Sequence, residues 1–284
     1  MKKVRKTRRL IPIYIAIFAV IIISSVSFLI YTFSGNYFNY VNIDNSAETV
    51  TDTLAKGSDI IIVNGIVVGA VKDGKWVSAK SYYDANGSEG NIEINLYSDD
   101  KLYGTFLTAM LKTTKEGTIY TTIAKEMLPE EYLAVSSKIP KVYDYKKQTE
   151  TTELDIKDVK KALSGYSFLN NSVNVTSVYT AKIDNTDVKF ICATAKKANL
   201  LGVYSAVIFV SKGNAELVKY SHVRDTKASD RWPVYDIKYI QDLNGDGTSE
   251  IILQEVTGSD VKYTVMELRD NSNFYQVLSE SIEI

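Results

Sequence analysis

The sequence is poor in cysteine and histidine, with one residue of each among its 284 residues. A single cysteine, Cys192, excludes a disulfide within the chain, so packing and bound ions must stabilise the fold instead of covalent cross-links. A single histidine, His222, excludes a metal site built from several histidines, and we predict no catalytic role for it. A glycine-rich phosphate-binding loop is also missing. The sequence therefore shows no recognisable reaction centre.

Acidic and basic residues nearly balance, but they are unevenly distributed. The whole chain carries a net charge of −1, and the first nine residues contain six basic and no acidic side chains, which leaves −7 for the remainder. An acidic exterior argues against nucleic acid as a partner. It is better suited to binding cations.

The segment 10–33 contains no charged residue and consists mostly of Ile, Val, Phe, Ala and Leu. As a helix its 24 residues would span about 36 Å, more than the roughly 30 Å hydrocarbon core of a bilayer. We predict a transmembrane helix, with the basic tail 1–9 in the cytoplasm and everything after the helix extracytoplasmic. A cleaved signal peptide is the open alternative, with 10–23 as its apolar region and Ser25–Ser27 as the cleavage site.

The residues after the apolar segment are numerous enough for two domains with proper cores. Turn pairs at Asn64-Gly65 and Asp73-Gly74 separate short apolar runs, which predicts a β-meander. The predicted organisation is a juxtamembrane segment with a short helix (34–57), a small β-rich domain (58–136), a linker rich in Lys, Glu and Thr (137–153), and a larger β domain (154–284).

The larger domain is predicted to begin with a short helix, because Thr152 and Asp155 have the spacing of a capping box. Two copies of a degenerate repeat follow, at 178–222 and 235–281, each with four strands and the same order of turns. Such a unit is typical of one propeller blade, but two blades do not close a ring. The predicted fold class is therefore mainly β, with the two repeats packed as a sandwich or an open pair.

One stretch, 242–253, has a spacing that indicates metal binding. Calcium takes six to eight oxygen ligands, and side chains at alternate positions of a tight loop converge to supply them. Gly247 permits the sharp turn, whereas Leu253 stands where an EF-hand would have its bidentate Glu. The expected ligands are Asp242, Asn244, Asp246, the carbonyl group of Thr248, and Glu250, the last either directly or through a water molecule.

This loop, flanked by predicted strands, resembles the calcium loops of FG-GAP and VCBS-type repeats, as in the propellers of integrin α-chains. The resemblance covers residues 237–256 and implies the same five ligands. The corresponding turn of the first repeat, 184–187, is too short for a second ion. We expect one structural Ca²⁺ ion, and three carboxylates on a flexible loop indicate the weak extracellular class of site, with a dissociation constant of roughly 0.1 to 1 mM.

These features predict a non-catalytic, single-pass membrane protein whose extracytoplasmic domains bind or scaffold a protein or glycan at the cell surface. Two alternatives stay open: a membrane-anchored hydrolase of envelope polymer that uses paired carboxylates, and a structural subunit of an envelope complex. A hydrolase would need a cleft with two acids about 5 to 9.5 Å apart. A subunit would need a contiguous apolar patch larger than about 600 Å².

Overall fold

The computed structural model describes residues 57–98, 101–123, 128–136, 141–164, 172–196, 202–223, 232–269 and 273–283. All of them belong to one compact unit, residues 39–284. Within these ranges the chain forms three antiparallel sheets and two helices. The prediction of a mainly β fold is confirmed.

Sheet I is built from the first eight strands. They are β1 (Asp59–Val63), β2 (Ile66–Lys72), β3 (Lys75–Ser78), β4 (Glu93–Ser98), β5 (Lys101–Leu107), β6 (Lys112–Thr113), β7 (Ile119–Tyr120) and β8 (Leu133–Val135). Their order is β5-β4-β8-β1-β2-β7-β6, and β3 pairs with β2. Helix α1 (Ala79–Asn86) follows β3 directly, because the side chain of Ser78 caps its first turn.

Sheets II and III contain the remaining strands. They are β9 (Lys141–Val142), β10 (Tyr145–Lys147), β11 (Ser172–Ile183), β12 (Thr186–Lys196), β13 (Val203–Ser211), β14 (Asn214–Val223), β15 (Val234–Asp242), β16 (Glu250–Thr257), β17 (Asp260–Arg269) and β18 (Asn273–Glu283). Sheet II has the order β10 to β14, and sheet III has the order β18-β17-β16-β15-β9. The short strands β9 and β10 lie within the segment 137–153, which is predicted as a linker from the sequence.

Four hairpins are closed by two-residue turns in which both residues have positive φ. The turns are Asn64-Gly65, Asp73-Gly74, Asp184-Asn185 and Lys212-Gly213, with φ between 46° and 85°. This conformation matches the right-handed twist of the flanking strands, and Asn, Asp and Gly adopt it at the lowest cost. These local preferences explain why the hairpins form where the sequence predicts turns.

The three sheets are stacked, with sheet III in the middle. Ile251 on β16 packs into the core shared with sheet II, whereas its neighbour Ile252 packs against sheet I. Helix α1 covers the outer face of sheet I, and α2 (Glu153–Ala162) covers the outer face of sheet II. Strands with both faces covered read as continuous apolar runs, which explains why Ile60–Val63 is buried at every position.

Helix α2 has the predicted capping box between Thr152 and Asp155. Asp155 is 2% exposed, and Lys189 on β12 donates hydrogen bonds to it at 2.6 Å and to Asp158 at 2.9 Å. The two carboxylates hold the pKa of Lys189 above its ordinary value despite the opposing effect of burial. The lysine therefore ties the helix to sheet II.

The prediction of a transmembrane, signal-anchored membrane protein is wrong for the part of the chain that the structure describes. Helices α1 and α2 have 8 and 10 residues, and at about 1.5 Å per residue neither approaches the roughly 30 Å of a bilayer core. In the ranges that the structure describes, it contains no helix with the length and apolar character of a membrane span. The basic tail 1–9, the predicted helix at 10–33 and the short helix predicted in 34–57 lie outside the described residues.

A half-buried carboxyl group on sheet III gives the fold a pH dependence. Glu280 on β18 lies opposite Tyr263, on the face that packs against sheet I. Burial raises its pKa to about 7, although Lys262 acts in the opposite direction. In the unfolded chain a glutamate has a pKa of about 4.3, so the folded state binds the extra proton between these values and stability falls as the pH rises through them.

We expect Glu280→Gln to remove this pH dependence. Relative to the wild type, the variant should gain about 1 to 3 kcal/mol of stability between pH 4 and pH 8, because it no longer forms a buried charge. Urea denaturation at pH 4, 6 and 8 measures this difference. Glu283→Gln changes an exposed carboxyl group on the same strand and is the matched control. A difference between wild type and Glu280→Gln that stays constant with pH would contradict the prediction.

Candidate metal centre

The predicted metal-binding loop connects the last residue of β15, Asp242, to the first residue of β16, Glu250. The two strands pair up to the base of the loop, where Gln241 lies opposite Glu250. Gly245 and Gly247 both have positive φ, 74° and 88°, and no atom would crowd a Cβ at either position. These glycines are therefore required by the conformation of the turn and not by close packing.

The side chains at alternate loop positions turn inward and accept hydrogen bonds from the loop backbone. Asp242 accepts from the amides of Gly245 (2.8 Å) and Gly247 (3.1 Å), one on each carboxylate oxygen. Asp246 accepts from the amide of Thr248 at 2.6 Å, and Asn244 accepts from that of Asp246 at 3.0 Å. Each of these side chains thus folds back onto the loop and is held by backbone amides two to five residues further along the chain.

Glu250 is the most deeply buried member of the predicted ligand set, with none of its surface exposed. Its Oε2 accepts a 2.6 Å hydrogen bond from the amide of Leu243, whereas its Oε1 has no hydrogen-bond partner among the described residues. Burial raises the pKa of Glu250 to about 9, and the charges of other carboxylates nearby act in the same direction. These carboxylates are Asp246, Asp242 and Glu267.

Behind the loop a row of polar side chains crosses three neighbouring strands. Gln241 on β15 lies opposite Glu250 on β16, which lies opposite Glu267 on β17. Glu267 is satisfied by two partners: the indole of Trp76 on sheet I donates to it at 2.7 Å, and the guanidinium group of Arg269 donates at 2.8 Å. The row therefore lies at the contact between sheets I and III.

Neither Gln241 nor Glu267 is predicted from the sequence as part of this site. The place of Gln241 directly before the first predicted ligand, Asp242, is the only available signal. The membership of Glu267 depends on the pairing of β16 with β17, which no local motif specifies.

The donor set suits a hard cation. Ca²⁺ prefers carboxylate, amide and backbone oxygens, and a carboxylate oxygen that accepts one hydrogen bond keeps a second lone pair for a metal. Within the described ranges, no group of three or more His, Cys, Asp and Glu residues is placed to hold a metal ion. This finding includes the three carboxylates of the predicted set, Asp242, Asp246 and Glu250, which the structure does not bring together as a metal-holding group. The other predicted donors are the amide of Asn244 and the carbonyl group of Thr248.

No protein-family model, curated protein or solved structure matches this chain. The likeness of the loop to FG-GAP and VCBS-type repeats thus stays a resemblance over residues 237–256.

Two other features of the described surface bear on the alternative functions. A cleft of about 540 Å³ lies at one end of sheet II and contains two acids, Asp144 and Asp187, among four lysines. Large exposed apolar side chains concentrate at the edge of sheet I, on β5 and just after it: Leu102, Tyr103, Leu107 and Met110 are 46–59% exposed. The hydrolase alternative requires a cleft with two acids, and this cleft is the feature to compare with that requirement. The subunit alternative requires a contiguous apolar patch, and the apolar edge of sheet I is the feature to compare with it.

The lone cysteine and histidine are both packed against neighbouring groups. Cys192 is fully buried in the core between sheets II and III, and burial raises the pKa of its thiol to about 12. The ring of His222 stacks on Tyr204 with centroids 4.3 Å apart. Both environments are typical of structural residues.

Proposed function

We propose that this protein is a non-catalytic binding or scaffolding protein whose stacked sheets are stabilised by one Ca²⁺ ion in the loop 242–250. The observation that supports this proposal most directly is Glu250. A fully buried carboxylate with an unpartnered oxygen, close to two further acids, is unfavourable unless a proton or a cation compensates its charge. The proposed ligands are Asp242, Asn244, Asp246, the carbonyl group of Thr248, and Glu250.

The arrangement of the two four-strand units supports a single ion for each chain. Strands β11 to β14 and β15 to β18 are both antiparallel meanders, and we infer that they are two copies of one degenerate repeat. In the second copy the first hairpin carries the acidic loop. In the first copy the equivalent hairpin is closed by the two-residue turn Asp184-Asn185, which is too short to surround an ion.

The role that we propose for the ion is structural. With a dissociation constant of roughly 0.1 to 1 mM, about 1 mM calcium adds on the order of 0.4 to 1.4 kcal/mol by mass action. Such an ion tightens a turn and does not drive a switch. An extracytoplasmic location, where calcium reaches this concentration, and a protein or glycan partner stay predictions from the sequence.

We expect calcium to raise the melting temperature of the full-length protein by about 1 to 5 °C relative to excess chelator. Asp246→Ala should abolish this rise, because it removes one of the proposed ligands. The side chain of Asp246 is exposed, so its removal should not disturb the core. Asp187→Ala removes an exposed aspartate from the first repeat and should leave the rise intact. Differential scanning calorimetry of all three proteins measures the effect. An equal rise in Asp246→Ala, or no rise in the wild type at about 5 mM calcium, well above the expected dissociation constant, would falsify the proposal.

A further inference from the structure

Gln241 is a buried polar side chain without any partner in the described structure. It is 0% exposed, and neither its amide oxygen nor its amide nitrogen makes a hydrogen bond. Because buried polar groups in folded proteins are nearly always satisfied, each exception needs a specific explanation. Gln241 leaves both a donor and an acceptor unmatched, so its place in the core is unfavourable as it stands.

The position of Gln241 suggests which group satisfies it. Gln241 lies directly opposite Glu250 across the β15–β16 pair, so the two side chains project from the same face with Cβ atoms about 4.5 to 5.5 Å apart. The oxygen of Glu250 that lacks a partner is therefore in the same row as the unpartnered amide. Tyr239 and Leu243, on either side of Gln241, pack into the apolar contact with sheet I.

The proposed loop ligands alone do not complete the coordination of a calcium ion. Five residues that each contribute one oxygen supply five donors, whereas Ca²⁺ takes six to eight. Solvent supplies the missing donors readily on the exposed side of the loop, where Gly245, Asp246 and Gly247 lie. On the inner side, the base of the loop carries three buried side chains with an unpartnered oxygen, those of Gln241, Ser249 and Glu250. Of these, Gln241 and Glu250 lie opposite each other across the β15–β16 pair.

We propose that Gln241 belongs to the cation site as an inner ligand, with its side-chain oxygen facing the ion and its amide N–H groups donating to Glu250. This inference rests on the proposed calcium function and extends the ligand set from the loop into the contact between sheets I and III. The ion is then held from two directions: the flexible loop on the solvent side, and the paired strands β15 and β16 on the inner side. In this site the glutamine supplies an oxygen ligand that an apolar residue, although better suited to the core, would not supply.

The test is to replace Gln241 by leucine in the full-length chain and to measure two quantities. Isothermal titration with calcium chloride should show a dissociation constant about tenfold higher than that of the wild type, because an inner oxygen is lost. The melting temperature in excess chelator should stay equal or rise, because a nearly isosteric apolar group replaces an unpartnered amide. The opposite signs of these changes distinguish a ligand from a residue that only fills space.

Two further variants keep the test decisive. Gln241→Glu retains the size and adds a negative charge, so it should bind calcium more tightly than the wild type and melt lower in chelator. Ser205→Ala removes another fully buried, unpartnered polar group, on sheet II, and should leave calcium affinity unchanged. If Gln241→Leu does not fold, the sign of the affinity change in Gln241→Glu decides the matter.

The outcomes also separate this inference from the proposed function. If the wild type takes up no calcium, both fail together. If the wild type and Gln241→Leu bind calcium with dissociation constants within twofold of each other, the calcium function stands and Gln241 is not a ligand.

Discussion

Replacing Gly69 by alanine is expected to lower the free energy of unfolding by about 3 to 5 kcal/mol. Gly69 lies in β2 between Ile61 and Ser78 of the neighbouring strands, at a φ of +153°. A Cβ at this position would lie 2.6 Å from a methyl carbon of Leu278 and 2.7 Å from the carbonyl oxygen of Val77. Leu278 belongs to sheet III, so the clash separates sheets I and III as well as straining the strand.

Gly74→Ala is the matched control for this prediction. Gly74 also has a positive φ, +76°, but a Cβ at this position would have no atom within 4 Å. The substitution should cost only the left-handed backbone strain, about 1 to 2 kcal/mol. Urea denaturation of the two variants, followed by tryptophan fluorescence, gives the comparison. A loss in Gly69→Ala no larger than that in Gly74→Ala would show that the two sheets tolerate separation at this point.

The second large effect is expected for Phe274→Ala, with a loss of about 3 to 5 kcal/mol. Phe274 on β18 is 1% exposed, and its ring lies edge-on to Phe190 and Phe209 with centroids 5.7 and 5.3 Å away. These two partners belong to sheet II. The substitution therefore opens a cavity in the core between sheets II and III, and removes the aromatic contacts that join the two sheets.

Tyr275→Ala is a suitable comparison, since Tyr275 is the next residue on the same strand and is only partly buried. The guanidinium group of Arg269 lies over its ring, 5.2 Å from the ring centroid. Loss of this cation–π contact should cost about 0.5 to 1 kcal/mol of stability. Thermal and urea unfolding of both variants would measure the difference. Similar losses in the two variants would mean that the core between sheets II and III contributes less to stability than its burial indicates.

Local chemistry accounts for the parts of the fold that the sequence predicts well. The Asn64-Gly65 and Asp73-Gly74 turns need residues that tolerate positive φ, and such residues stand there. Helix α2 begins at Thr152 because the side chains of Thr152 and Asp155 satisfy free amide groups within one turn. In each case the determining interaction spans fewer than about five residues, which is why the pattern is visible without the structure.

Helix α1 shows where such signals become too weak. It has eight residues, of which only Ala79 and Tyr82 are buried, and it is capped by Ser78 at its start and by Gly87 at its end. A helix this short is marginal without tertiary contacts. Its stability comes from packing on the outer face of sheet I, so no periodic pattern of apolar residues predicts this helix from the sequence.

The mainly β class, the hairpin turns and the acidic spacing from Asp242 to Glu250 follow from the order of residues alone, because they arise from backbone preferences and from groups that are neighbours along the chain. The stacking of three sheets, the burial of Glu250 and the row that joins Gln241 to Glu267 arise only in the folded protein. They depend on which strands pair and which faces meet, for example where Trp76 reaches Glu267, a residue 191 positions away. Contacts over such distances are selected by the packing of the whole core, and no local pattern of residues encodes them.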